Sequence, residues 1–76
     1  MEELKVELFI PGDLKDDPIL YNMIKDFNVF VKVVEASFST ESGWAYLVLR
    51  GEKNEMEKMF KYLRGLGVSI ELRNES

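Results

Sequence analysis

The stretch WAYLVLRGEKNEMEKMFKYLRGLGVSIEL (residues 44–72) predicts a strand, a helix and a second strand in succession. Residues 44–50 alternate between two faces, which is typical of a half-buried strand. Residues 54–66 carry apolar side chains every three or four positions, as on one side of an amphipathic helix. Glycines near the end of that helix offer a C-terminal stop, and residues 68–72 then alternate again. This half of the chain is therefore expected to form a β-α-β unit.

The preceding half of the chain repeats this order. Residues 4–10 alternate as a strand, and Pro11-Gly12 ends it because proline donates no hydrogen bond and glycine favours a turn. Asp17 is expected to be the N-cap of a helix over residues 18–27, with proline in its first position. The apolar face of that helix is predicted from the spacing of four side chains, which are Leu20, Met23, Ile24 and Phe27.

Residues 29–40 favour a strand because they are rich in β-branched and aromatic residues, although the first half is apolar on both faces. A polar turn at residues 41–43 would join it to the strand at residues 44–50. The order β-α-β-β-α-β predicts an α+β fold, the ferredoxin-like plait, in which two helices cover one face of a four-stranded antiparallel sheet. The strand residues expected to face the helices are Leu4, Val6, Leu8, Ile10, Ala45, Leu47, Leu49, Val68, Ile70 and Leu72.

The face of the sheet without helices should carry three aromatic side chains and a valine, namely Phe9, Trp44, Tyr46 and Val48. A contiguous exposed apolar patch commonly marks an interface, so we expect a homodimer in which these residues meet a second copy of the chain. The alternative is that long neighbours such as Lys5 and Arg50 shield the aromatic rings, and the face binds nothing.

The aromatic positions also resemble those of RNA-recognition modules, in which rings on adjacent strands stack against bases. The two similar segments are Leu8-Phe9-Ile10-Pro11-Gly12 and Gly43-Trp44-Ala45-Tyr46-Leu47. Ser42, however, stands where those modules have a basic residue. The formal net charge of −4 also opposes binding to a polyanion. Nucleic acid is therefore not the expected partner.

The composition excludes several classes of function. The 76 residues include no cysteine and no histidine, which removes thiolate metal sites, iron–sulfur clusters and the usual general base. No segment resembles a signal peptide, and no apolar run approaches the roughly 20 residues that span a bilayer. We therefore expect a cytoplasmic protein that does not insert into a membrane and needs no cofactor.

No residues form a recognisable catalytic or metal-binding set. The acidic loop residues Asp13, Asp16 and Asp17 match no known calcium-loop spacing, so no metal site is predicted. Ser37 and Ser39 have no histidine to activate them, and no pair of carboxylates is placed in a cleft by the pattern. The sequence thus predicts a binding protein with no catalytic residues rather than an enzyme.

Several blocks of the chain, in their order and spacing, resemble the NIL domain. This ferredoxin-like module ends the ATPase subunit of methionine-importing ABC transporters and also occurs beside iron–sulfur ferredoxin modules. The blocks that carry the resemblance, which together span residues 4–72, are Val6-Glu7-Leu8-Phe9-Ile10-Pro11-Gly12, Asp17-Pro18-Ile19-Leu20, Phe27-Asn28-Val29, Gly43 with the alternating Ala45, Leu47 and Leu49, Gly51-Glu52, Tyr62-Leu63-Arg64 and Gly67-Val68-Ser69-Ile70-Glu71. We therefore expect residues 1–76 to be a single, stand-alone NIL-like domain.

The resemblance implies a role in sensing an amino acid. Domains of this family pair as dimers and bind methionine near their interface, which implies a ligand site on the second strand at Lys32, Val33, Val34 and Ala36. Lys32 takes the place of the family's asparagine; it only donates hydrogen bonds, and it could pair with a ligand carboxylate. The implied partner is a transporter or a protein of sulfur metabolism. The alternative is an adaptor that binds proteins without a small ligand.

Overall fold

The computed structural model describes residues 2–14, 17–39 and 41–73. The elements are β1 (Glu2–Pro11), a 3-10 turn (Gly12–Leu14), α1 (Ile19–Asp26), β2 (Val29–Phe38), β3 (Ser42–Gly51), α2 (Lys53–Leu66) and β4 (Ser69–Leu72). The four strands form one sheet in the order β2-β3-β1-β4, and every neighbouring pair is antiparallel. This arrangement confirms the predicted ferredoxin-like α+β plait.

The core lies between the sheet and the helices. Strand alternation directs one set of side chains from β1 and β3 inward, and all of these except the partly buried Leu4 are buried. The helices add the residues at three- and four-residue spacing that face the sheet. The buried residues are Val6, Leu8, Ile10, Ile19, Met23, Val29, Ala45, Leu47, Leu49, Met56, Met59, Leu63 and Val68. Burial of each large aliphatic side chain contributes about 1.5–3 kcal/mol, so this cluster holds the small domain together.

Two residues predicted to lie in the core are exposed. Leu72 is beside Val6 in register, but β4 is the outermost strand and no further strand covers its outer side. Ile24 lies on the exposed side of α1, because Ile19 and Met23 define the face that contacts the sheet.

The predicted N-cap is also wrong. Pro18, not Asp17, occupies the cap position before α1, and no side chain caps the helix. Pro18 has φ −78° and ψ 64°, which is outside the helical region. The backbone carbonyl of Pro18 accepts the first helical bond, from the amide of Asn22 at 2.9 Å. The chain therefore enters α1 one residue later than the Asp-Pro pattern predicts.

Strand β2 contains an irregularity that the pattern did not locate. Val33 pairs with Leu47 and Glu35 pairs with Tyr46, so Val34 is an extra residue in a β-bulge. Because of this extra residue, Val33 before the bulge and Ala36 after it both lie on the side of the sheet that the helices cover. The apolar pattern did not indicate which face is buried, because Val29, Phe30 and Val31 are apolar on both faces before the bulge.

The turn between β2 and β3 is shifted relative to the prediction. Ser42 and Gly43, expected in the turn, belong to β3, and β2 ends at Phe38. The amide of Ser39 donates to the carbonyl oxygen of Ser42 at 2.8 Å, and this bond closes the turn. The predicted end of the strand at Thr40 falls outside the described residues. This turn forms one wall of the pocket described next.

Candidate functional site

A pocket of about 250 Å³ opens where the end of β1, the start of α1 and the β2–β3 turn meet. Its walls are mainly apolar. The side chains and backbone that line it include Ile10, Leu14, Leu20, Tyr21, Phe38 and Gly43. Small-molecule sites in proteins are concave and mostly apolar with a few polar groups, which makes this pocket the candidate ligand site.

Two glycines allow the walls of the pocket to approach each other. A Cβ on Gly12 would overlap the backbone carbonyl of Glu41, so the 3-10 turn packs directly against the β2–β3 turn. A Cβ on Gly43 would overlap the ring of Phe38, with Cε1 at 2.7 Å. Because Gly43 has no side chain, the Phe38 ring can lie against β3 at this position. The ring remains 58% exposed and forms part of the pocket rim.

The polar groups of the pocket come from Asp17, Ser39 and Ser42. The hydroxyl of Ser39 donates to the carbonyl oxygen of Ser42 at 3.1 Å and accepts from its amide at 3.2 Å, so this serine stabilises the turn. Asp17 contributes the one formally charged residue among those that line the pocket in the described part of the chain. The pocket can therefore hold a small apolar group with a cationic group beside Asp17.

Sequence reasoning missed this pocket. Ile10 and Leu20 are in or against the core as predicted, but the sequence pattern did not indicate that they also line a pocket. The sequence feature that could have indicated the pocket is the pair of aromatic residues Tyr21 and Phe38. Neither belongs to the predicted apolar face of its helix or strand, and both are exposed. The pocket depends on how the β2–β3 turn packs against the end of β1, which no local pattern reports.

The four residues predicted from the resemblance to bind a ligand lie along the exposed part of β2. Lys32 pairs with Val48 and lies on the face without helices, whereas Val33 and Ala36 pair with buried residues of β3 and lie on the helix side. Val34 is at the bulge. None of the four lines the pocket, and Ala36 is nearest to it along the strand, two residues before Phe38. Their role in ligand binding stays a prediction.

The predicted interface residues do lie together on the open face of the sheet. Phe9 and Trp44 are direct partners across β1 and β3, and Tyr46 and Val48 follow along β3 on the same face. Trp44, Tyr46 and Val48 are half-buried, and Phe9 is exposed. The structure thus brings the four side chains to one surface, and their role as an interface also stays a prediction.

A polar network crosses the same face. Glu7 is opposite Tyr46 and accepts a hydrogen bond from the indole Nε1 of Trp44 at 2.9 Å. The second carboxylate oxygen of Glu7 accepts from the Nε of Arg73 at 2.6 Å. The guanidinium carbon of Arg73 lies 5.4 Å from the centre of the Tyr46 ring, within cation–π range. Glu7 and Arg73 therefore contact these aromatic side chains, whereas Arg50, expected to shield them, pairs with Glu3 at 2.7 Å.

These ion pairs bear on the RNA alternative. Arg50 and Arg73, two basic residues that could reach phosphates from this face, are already bonded to Glu3 and Glu7. Binding to a polyanion depends on basic groups that neutralise phosphates. Lys5 and Lys32, which both pair with Val48 on this face, form no ion pair within the described residues. The formal net charge of −4 therefore remains the main argument against an RNA partner.

Within residues 2–14, 17–39 and 41–73, no group of three or more acidic side chains is placed to hold a metal ion. Over the same ranges, neither helix has both the length and the apolar character needed to cross a membrane.

Comparisons with known proteins identify relatives of this chain. It is 33% identical over 64 residues to the methionine import ATP-binding protein MetN of Helicobacter pylori strain ATCC 700392 / 26695, and 31% identical to the same protein of strain HPAG1. Each alignment covers 79% of this chain, and the chain spans about a fifth of the length of these curated relatives.

Two solved structures share the fold. The C-terminal domain of an ABC transporter ATP-binding protein from Enterococcus faecalis superposes with a TM-score of 0.78, at 22% identity, over 96% of this chain and 86% of that one. The de novo designed protein Foldit4 superposes with a TM-score of 0.57, at 19% identity, over 99% of this chain and 100% of that one. The designed protein illustrates that the fold alone assigns no function.

The sequence profile of the NIL domain matches residues 4–72, which run from β1 to the end of β4. The match includes both helices and the whole sheet, and it agrees with the blocks of sequence that carry the resemblance. The chain belongs to the NIL domain family.

Proposed function

We propose that this chain is a non-enzymatic regulatory module of the cytoplasm that binds a small apolar amino acid, with methionine as the first candidate. The observation that carries the proposal is the apolar pocket between β1, α1 and the β2–β3 turn. Its volume of about 250 Å³ is below the ~300–1,000 Å³ typical of sites for drug-sized ligands, which favours a smaller molecule.

The lining of the pocket suggests how an amino acid would lie in it. An apolar side chain would pack against Leu14, Leu20 and Phe38, and the ammonium group would face Asp17. The carboxylate would point to solvent, since no basic residue lines the pocket among the described residues. The names of the MetN relatives support methionine as the ligand and a transporter as the partner. A protein of sulfur metabolism is the other partner that the family resemblance supports.

Calorimetric titration of the protein with L-methionine tests the proposal, with other apolar amino acids as comparison ligands. Tyr21→Ala and Phe38→Ala should each weaken binding about tenfold, equivalent to ~1.4 kcal/mol, because each removes apolar contact from the pocket. Ile24→Ala is the matched control: Ile24 is 57% exposed, compared with 61% for Tyr21, and lies on α1 outside the pocket lining. It should bind as the wild type does.

The same titration separates the pocket from the site on β2. If Lys32→Ala and Val33→Ala weaken binding whereas Tyr21→Ala does not, the ligand lies along β2 and the pocket is not its site. If no amino acid produces heat or raises the unfolding temperature of the wild-type protein, the sensing function is wrong.

The second candidate function is that of a protein-interaction adaptor that needs no ligand. The observation that favours it is the surface formed by Phe9, Trp44, Tyr46 and Val48, in which Phe9 is exposed. Trp44→Ser should then abolish binding to the protein that the wild-type chain retains in a pull-down, while calorimetry shows no amino-acid binding. Retained partner binding in that variant would contradict a Trp44-centred interface.

A further inference from the structure

The carboxylate of Asp17 lies at the wall of the pocket and does not cap α1. The backbone of this residue is fixed on both sides. Its amide donates to the carbonyl oxygen of Leu14 at 3.0 Å, and its carbonyl oxygen accepts from the amide of Ile19 at 2.8 Å. Asp17 is also half-buried. A half-buried carboxylate in an apolar wall is suited to an ammonium group, because hydrogen bonds between two ionised groups are the stronger ones.

Two aromatic rings of the same pocket also favour a cation. Tyr21 and Phe38 belong to the lining, and both are more than half exposed. The face of an aromatic ring is negative and attracts ammonium groups, whereas it repels a carboxylate. Tyr21 already has such a contact within the chain, because the Nζ of Lys25 lies 5.7 Å from the centre of its ring. The rings and Asp17 therefore prefer the same end of an amino acid.

The charges beside the pocket are mainly negative. Asp13 belongs to the 3-10 turn after β1 and Glu41 to the β2–β3 turn, and these two turns contact each other. Both residues are exposed, and Asp17 adds a third negative charge. The formal charges of Lys15 and Asp16, which lie outside the described residues, cancel. The local field thus favours a ligand with a net positive charge over a zwitterion.

Two features of α1 would instead favour a ligand carboxylate. The first residues of the helix, Ile19 and Leu20, belong to the lining, and the N-terminus of a helix attracts anions. Asp17 opposes this effect, because it places a negative charge two residues before the helix begins. The second feature is the ammonium group of Lys25 beside the Tyr21 ring. The two sets of groups predict opposite orders of affinity for ligands with and without a carboxylate.

We propose that the pocket recognises the amino-terminal residue of a peptide, through its α-ammonium group and an apolar first side chain. The inference rests on the proposed function, since it concerns the same pocket and the same contact with Asp17. The carbonyl group of that first residue is part of an amide, so it brings no negative charge toward the acidic residues. The pocket holds about 250 Å³ and opens to solvent, and the residues after the first would therefore continue outside it.

Calorimetric titration at about pH 6.5, where the α-amino group of each unblocked ligand is protonated, compares four ligands. They are L-methionine, L-methioninamide, the amidated tripeptide methionyl-glycyl-glycinamide and N-acetyl-L-methioninamide. The amide and the tripeptide should each bind at least about fivefold more tightly than methionine, because neither carries a carboxylate. The acetylated amide should bind at least about tenfold more weakly than the amide, because its nitrogen carries no charge.

Variants of two aspartates assign the effect to the pocket. Asp17→Asn should weaken binding of methioninamide at least about tenfold and remove most of its advantage over methionine. Asp26→Asn is the matched control, because it removes the same charge from an exposed residue at the other end of α1, outside the lining. It should bind all four ligands as the wild type does. The unfolding temperature of each variant shows that the chain remains folded.

A third variant tests the opposite assignment. Lys25→Met should leave the affinity for methionine unchanged or higher. If it weakens binding of methionine but not of methioninamide, Lys25 holds the ligand carboxylate and the inference is wrong.

The outcomes separate this inference from the proposed function. If methionine binds as tightly as the amide or more tightly, the pocket does not select for the ammonium group; the inference is wrong and the proposed function stands. Binding of the amide without the tripeptide, or binding of the amide that Asp17→Asn leaves unchanged, also overturns the inference. If none of the four ligands binds, both are wrong.

Discussion

Gly65 and Gly67 lie two residues apart at the end of α2, but their backbones differ. Gly67 has a φ of +97°, and its amide donates to the carbonyl oxygen of Arg64 at 3.0 Å. The amide of Val68 donates to the carbonyl oxygen of Leu63 at 3.0 Å, which completes the helix end. Gly65 has an ordinary helical backbone, and a Cβ on it would meet no atom within 4 Å. One glycine is needed for the cap, and the other only lowers helix propensity.

We predict opposite effects for alanine at these two positions. Gly65→Ala should raise the free energy of unfolding by about 0.5–1 kcal/mol, because alanine has a higher helix propensity than glycine and lowers the conformational entropy of the unfolded chain. Gly67→Ala should lower it by about 1 kcal/mol or more, because a side chain is strained in the left-handed region. Urea denaturation measures both values. A lower free energy of unfolding for Gly65→Ala would contradict the prediction, because it would mean that a Cβ at position 65 collides with neighbouring atoms.

Glu55 joins the first turn of α2 to the loop before β2. Its Oε1 accepts from the backbone amide of Asn28 at 3.2 Å, and its Oε2 accepts from the Nζ of Lys58 at 3.1 Å. The hydrogen bond from Asn28, followed by that from Lys58, lowers the pKa of the Glu55 carboxyl below its ordinary value. Folding therefore stabilises the ionised form of the Glu55 carboxyl relative to its protonated form.

The lowered pKa predicts a pH dependence of stability. A carboxyl whose pKa is depressed on folding stabilises the protein above its unfolded pKa, and this contribution is lost as pH falls through the folded pKa. Glu55→Gln should therefore unfold at a lower temperature than the wild type at pH 7, and the difference should shrink below about pH 4. Thermal unfolding of both proteins between pH 7 and pH 3 provides the measurement. A difference that is constant over this range would contradict the assignment.

At the scale of elements, the β2–β3 hairpin depends on contact between two residues of different strands. Phe38 and Gly43 are partners across the hairpin, and the phenyl ring occupies the space that a Cβ of residue 43 would need. The hairpin in turn contacts the 3-10 turn after β1 through Gly12. The shape of the pocket is thus a property of the packed hairpin rather than of either strand.

We expect Gly43→Ala to displace the Phe38 ring and to lower the free energy of unfolding by about 1–3 kcal/mol, as overpacking does. The same substitution in a Phe38→Ala background should cost less, because the overlapping ring is absent. Denaturation of the wild type, the two single variants and the double variant gives the coupling energy. Equal costs of Gly43→Ala in both backgrounds would mean that the ring does not occupy this position.

At the scale of the whole molecule, the domain is small and its longer edge strand is exposed. A chain of this length buries only about 60% of the surface of its unfolded form, so its stability is expected to be marginal. Contact of the exposed Phe9 ring and the neighbouring Trp44 with a second copy of the chain would remove apolar surface from water. Such association would be coupled to folding by mass action, because only folded chains could pair.

The unfolding temperature of the wild-type protein should consequently rise with protein concentration. That of Trp44→Ser should rise less, because loss of the indole ring would weaken pairing through the open face of the sheet. Differential scanning calorimetry at low and high micromolar concentrations measures both dependences. A wild-type unfolding temperature that is independent of concentration would be inconsistent with the predicted homodimer.

The sequence predicted the order of elements and most of the core, since these follow from local periodicity. Leu47 and Met59 are buried as their spacing predicts. The errors occurred where burial depends on neighbouring elements. Leu72 is exposed at the sheet edge, and Ile24 is exposed because the face of α1 that contacts the sheet is formed by Ile19 and Met23. The position of Phe9, Trp44, Tyr46 and Val48 on the face without helices was predictable for the same reason, because alternate residues of a strand point to opposite faces of the sheet.

The fold of this protein and its family follow from the amino-acid sequence alone, because both are encoded in the spacing of apolar residues and in blocks of adjacent residues. The position of the bulge at Val34, the bonds of Glu7 to Trp44 and Arg73, and the pocket beside Phe38 arise only in the folded chain. Each of these depends on the register of paired strands or on contacts between residues far apart in the chain. Neither of these is contained in the periodicity of a single segment.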